Sequence, residues 1–97
     1  MAMLFKEDDS GYLRWLKGSP SGFVINLRRL PNVRYAVLHR ASCNLIGHVR
    51  RPEGAYTERG YIKLCASSAE EAKLDLRRLL SVDRAEFSKC CEVCNPI

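Results

Sequence analysis

Four residues offer the chemistry of a metal site, and they come as two short pairs: His39-x-x-x-Cys43 and Cys91-x-x-Cys94. A Cys-x-x-Cys turn lets two thiolates chelate one ion, and a second pair completes the four nitrogen and sulfur donors of a closed, structural tetrahedral zinc site. His39 alone would read as a core histidine on an apolar strand face; Cys43 and the Cys-x-x-Cys turn make it a ligand candidate. Two other uses of the thiols remain open. The cysteines could stay unligated, or Cys90, Cys91 and Cys94 could serve redox or disulfide chemistry. An odd total of five cysteines fits a full set of internal bridges poorly, and in a reducing compartment cysteines are more often metal ligands, catalytic groups or plain core residues than disulfides. Cys65 sits inside a strand pattern and is expected in the core.

The second chemical feature is charge. Between residues 28 and 63 eight Lys and Arg face two acidic residues, whereas the whole chain carries a net +5. Arginine supplies seven of those eight cations, and its planar fork suits bidentate contact with phosphate or guanine. A polyanionic partner, most simply DNA, is implied. The candidate contacts are Arg50, Arg51 and Arg59 in a Gly- and Pro-containing loop, flanked by Arg28, Arg29, Arg40 and Lys63, with Tyr56 able to stack on a base. The bland alternative is an arginine-rich solvated face.

These groups need a scaffold, and 97 residues at 46% apolar content allow one domain, 1–97, with a thin core that a metal staple would help. Tyr12, Trp15 and Leu16 share a helical face behind a cap at Asp9 or Ser10, and the run Gly18 to Gly22 stops that helix. Trp15 is expected to anchor the core. Residues 23–28 and 33–39 read as two strands joined through Leu30-Pro31-Asn32, with Val33, Tyr35, Val37 and His39 on one face of the second. Residues 47–60 read as a long loop, functional or solvated, and 61–65 as a third strand. Ser68-x-x-Glu71 is a capping box that opens a helix running to Leu80. The expected fold is therefore α+β: a small antiparallel three-stranded sheet, two helices and a zinc knuckle.

Three segments also carry a family resemblance: residues 38–43, Leu-His-Arg-Ala-Ser-Cys; the helix at Ala69-Glu70-Glu71-Ala72; and residues 87–96, Phe-Ser-Lys-Cys-Cys-Glu-Val-Cys-Asn-Pro. Over roughly 37–96 the chain resembles the zinc domain at the N-terminus of Ada DNA-repair methyltransferases. The resemblance implies zinc held by His39, Cys43, Cys91 and Cys94, and DNA as partner. The family's first ligand is the thiolate that accepts a methyl group from a DNA phosphotriester, and His39 stands in its place. Imidazole holds zinc but is a poor methyl acceptor, so methyl transfer is not expected. Ala41 replaces the family's proline, Cys90 replaces another, and the segment between the two pairs is longer. Residues 12–46 also resemble N-terminal modules of bacterial nucleases that cut foreign or modified DNA, which implies a fused or associated nuclease.

No Walker loop, GxGxxG, HExxH or acid–base carboxylate pair is present, so an enzyme is not expected. The first residues form too short an apolar run for a signal peptide or a membrane span, and the expectation is a cytoplasmic protein without membrane contact. The resulting functional expectation is a zinc-stapled DNA-binding module, with the sensing of modified or foreign DNA as the setting that the resemblances imply. Its rivals are a redox-active or alkyl-accepting cysteine protein and a protein-interaction module with a basic face.

Overall fold

The computed structural model describes residues 2–47, 51–84 and 86–96. In chain order the elements are β1 (Met3–Phe5), α1 (Asp9–Gly18), β2 (Phe23–Arg28), β3 (Ala36–Arg40), β4 (Tyr61–Ala66), α2 (Ala69–Leu80) and β5 (Lys89–Cys90). They build one mixed five-stranded sheet in the order β1-β4-β2-β3-β5. All neighbours are antiparallel except β3 and β5, which run parallel. The α+β class holds, but the sheet has five strands where three antiparallel ones were expected. The two additions are edge strands of three and two residues, too short to display an alternating pattern. Among the described residues no helix is long and apolar enough to cross a membrane.

Strand alternation divides the core in two. Ile25, Leu27, Ala36, Leu38, Ile62 and Leu64 point to one face and meet Ala72 and Leu76 of α2. Val24 and Cys65 point to the other, where Tyr12 and Leu16 of α1 pack with Ile46, Tyr56, Cys43 and Cys91. Trp15 lies partly buried against this second cluster, beside Gly22. A Cβ on Gly22 would come within 2.7 Å of the indole. That contact fixes how the helix returns to the sheet.

α2 begins as the capping box predicts: the Ser68 side chain accepts from the Glu71 N–H at 3.1 Å. α1 begins one residue before the predicted caps. Asp8 is its N-cap, accepting from the Gly11 N–H at 2.9 Å. Asp9 is thereby freed for another task, accepting from both the backbone N–H and the hydroxyl of Thr57 at 2.7 Å. β3 starts at Ala36 rather than Val33, because Asn32 accepts from the Arg34 N–H at 2.8 Å and holds the preceding residues in a turn. A side chain that bonds its own backbone two residues on competes with strand pairing.

Candidate metal centre and the basic face

His39 lies near the end of β3, and a tight turn, Cys43 N–H to Arg40 carbonyl at 3.0 Å, brings Cys43 back beside it. The second pair arrives through β5. The Cys91 N–H donates to the Leu38 carbonyl at 2.9 Å, so the chain enters the knuckle directly from the sheet edge. The Asn95 N–H then closes on the Cys91 carbonyl at 3.0 Å. Asn95 adopts a left-handed φ of 45°, a conformation asparagine tolerates better than most residues.

The outcome is a group of four donors, His39, Cys43, Cys91 and Cys94, whose ligand atoms all lie within 4.8 Å of one another. Cys43 Sγ and Cys91 Sγ are 3.9 Å apart. That is far beyond a disulfide bond of about 2.0 Å. It matches the edge of about 3.8 Å in a tetrahedron with metal–sulfur bonds of about 2.3 Å. His39 is 6% exposed and its Nδ1 has no hydrogen-bond partner among the described residues. A buried imidazole with an unpartnered nitrogen, beside three sulfurs, fits a metal-ligating histidine.

Electrostatics agree with the donor set. Burial, with Lys63 nearby, lowers the His39 pKa to about 4 and keeps the imidazole neutral. Burial pushes the Cys43 thiol up to about 11, against a hydrogen bond from the Leu45 backbone. Cys91 is also raised by burial, yet backbone hydrogen bonds from Cys94 and Val93 leave its pKa lowered overall. The Arg40 N–H lies 3.2 Å from Cys94 Sγ. Backbone N–H groups aimed at sulfur stabilise thiolates, the form that binds metal. Cys90 is exposed on β5 and stands outside the group, all five cysteines are unbonded, and Cys65 is core as expected.

The basic residues fare unequally. Arg51 and Arg59 are exposed on the loop, whereas Arg50 lies outside the described residues. Arg28 is exposed and stacks over Tyr35 and Tyr61, 4.3 and 5.2 Å from their ring centres. Arg29 is ion-paired with Glu7 and donates to the Arg59 carbonyl at 3.3 Å. One expected contact has a structural role as well, and two need correction. Arg40 spends Nε and Nη2 on the Cys94 and Asn95 carbonyls at 3.0 and 2.9 Å, so it clamps the knuckle. Tyr56 is 7% exposed, its ring 5.6 Å from that of Tyr12, so it stacks in the core and not on a base. Lys63 is 4% exposed and holds Asn26 Oδ1 and the Tyr56 carbonyl at 2.8 and 2.7 Å. Burial lowers its pKa to about 8, against the opposing pull of Cys65 and Asp9.

The loop before β4 is consequently anchored. Beyond the Asp9 bonds, the Glu7 N–H donates to the Thr57 carbonyl and the Asp8 N–H to its hydroxyl, both at 2.8 Å. The residues that sequence reasoning passed over are Asn26, Tyr35 and Tyr61, which share a sheet face with Lys63 and His39. A signal was present: Asn26 and Lys63 each interrupt an apolar strand, and they sit directly opposite one another across β2 and β4. No protein-family model matches the chain, and neither a curated protein nor a solved structure matches it, so the reading of the site rests on its own geometry and chemistry.

Proposed function

We propose that this chain is a zinc-stapled DNA-binding module with no enzymatic activity of its own. The observation that carries the metal half is the His39, Cys43, Cys91 and Cys94 group, within 4.8 Å. Four protein donors leave no open position for a reacting water, so the zinc is structural. Its role is to tie the tail to the end of β3, where a core this thin leaves chain entropy uncovered.

The DNA half is supported by the way exposed arginines from separate segments gather at one end of the sheet. Arg28 lies opposite Tyr61 in the β2–β4 pairing, Arg29 reaches the Arg59 carbonyl, and Arg51 lines the same recess as Tyr61. Phosphate contacts from several segments fix a protein's register on a duplex. The resemblance to Ada-type zinc domains adds DNA, and sensing of modified or foreign DNA, as the biological setting. His39 in the acceptor position argues against methyl transfer.

Two measurements test the two halves separately. Elemental analysis of protein purified without chelators should give about one zinc per chain, as a single four-donor site requires. Affinity for any duplex should fall steeply as salt rises, because phosphate contacts release counterions. Zinc near zero with all thiols reactive overturns the first half. A flat or absent DNA response overturns the second.

A further inference from the structure

On the face of the sheet that α1 leaves bare, between the anchored loop and the knuckle, runs a cleft with two lobes. They enclose about 440 and 270 Å³, the larger within the roughly 300–1,000 Å³ typical of small-ligand pockets. Asn26, Leu45 and Ile46 border both lobes. One lobe reaches Tyr35, His39 and Lys89, the other Tyr61, Lys63 and Arg51. The zinc group thus forms one end wall of the cleft and the basic loop the other.

The lining mixes apolar side chains, Val37, Leu45 and Ile46 among them, with polar and aromatic groups. Tyr35 and Tyr61 are half-buried rings with centroids 5.9 Å apart, and Arg28 spans them from above. Asn26 presents an amide in the floor, donating to the Tyr35 hydroxyl at 3.3 Å and accepting from Lys63. Lys63, Arg51 and Lys89 line the cleft against one acidic residue, Glu92, with the Arg28 charge held at its lip. Aromatic rings bordering both lobes, tilted 46° to each other, an amide in the floor and a cationic rim together suit one nucleotide: a base to pack, an edge to read and a phosphate to neutralise.

We propose that this cleft receives a single unstacked base of DNA, seated against Tyr35 and Tyr61 above Asn26, with its flanking phosphates on Arg28 and Arg51. The proposal rests on the DNA-binding reading and deepens it. A module that only grips phosphate needs no recess, whereas a recess of this size admits a base only once that base is out of the stack. Unstacking costs least where pairing is already broken. The protein should therefore prefer a duplex containing one mismatch over the fully paired duplex of the same sequence.

The experiment is fluorescence anisotropy with those two duplexes, using the zinc-loaded full chain and its Tyr35→Ala, Tyr35→Phe and Val37→Trp variants. The parent should bind the mismatched duplex about tenfold more tightly, the scale of one base–aromatic stack. Tyr35→Ala should lose that preference while keeping its zinc content and salt slope, and Tyr35→Phe, which retains the ring, should keep the preference. Val37→Trp, which fills the floor of one lobe, should abolish the preference without touching the tyrosine. Equal affinity of the parent for both duplexes overturns the pocket while leaving the DNA-binding reading intact, as does an undiminished preference in both Tyr35→Ala and Val37→Trp. Absence of binding to either duplex at low salt overturns the DNA-binding reading and the pocket together.

Discussion

A buried nitrogen without a partner costs roughly 1–3 kcal/mol, and among the described residues His39 Nδ1 is such an atom. A metal ion held by the four-donor group would add its binding energy to folding. Cys94→Ser should therefore lower the melting temperature far more than Cys65→Ser, although Cys65 is the more deeply buried. A chelator should bring the parent down to the level of Cys94→Ser and leave that variant unchanged. Differential scanning fluorimetry of the parent and both variants, with and without chelator, reads this directly; equal losses would mean that the cluster is not a staple. The four members of the candidate metal group were legible in the sequence because their spacing marks two pairs able to chelate one ion. The roles of Arg40, Tyr56 and Lys63 were not, because a basic or aromatic residue in a loop looks the same whether it faces solvent or its own backbone.

Among the elements, legibility followed the length of the pattern. α2 carries its own start signal in Ser68 and Glu71 and a stripe of apolar residues, so its range could be read closely. β1 and β5 carry none; they exist because β4 and β3 offer free edges and, for β5, because the knuckle must be delivered beside Leu38. The cap of α1 was misplaced since three consecutive residues, Asp8, Asp9 and Ser10, can all cap, and only the partner Thr57 tells them apart. A prediction follows from that division of labour. Ser68→Ala should cost about 1 kcal/mol, the value of an N-cap. Asp9→Ala should cost about 2 kcal/mol or more, because it leaves the Thr57 N–H and hydroxyl, in a residue 1% exposed, without their acceptor. It should also speed amide exchange at Thr57, which Ser68→Ala should not. Urea titrations and hydrogen exchange decide it, and an Asp9→Ala loss no larger than the cap's would mean the loop is held by Tyr56 packing instead.

For the molecule as a whole, the charge asymmetry is real in the sequence, yet folding sorts it into two kinds of cation. Arg51 and Arg59 extend from the anchored loop, with Arg59 donating to the Glu53 carbonyl at 2.8 Å. Arg40, though exposed, is bonded to the knuckle carbonyls. The two kinds should separate in one experiment. Replacing Arg51 or Arg59 by Ala removes a phosphate contact, so affinity should drop for every sequence and the slope of log affinity against log salt should flatten by about one unit per residue. Zinc content and melting temperature should stay at the parent values, because neither side chain supports the metal group. Arg40→Ala should do the reverse: it frees the carbonyls of Cys94 and Asn95, loosens the turn that presents Cys94, and lowers both the melting temperature and the zinc affinity. Its DNA binding should then recover when zinc is supplied in excess, which restores the knuckle by mass action, with a salt slope near that of the parent. A flattened slope in zinc-saturated Arg40→Ala would make Arg40 a phosphate contact after all, and an unchanged slope in both loop variants would leave the loop as a solvated face.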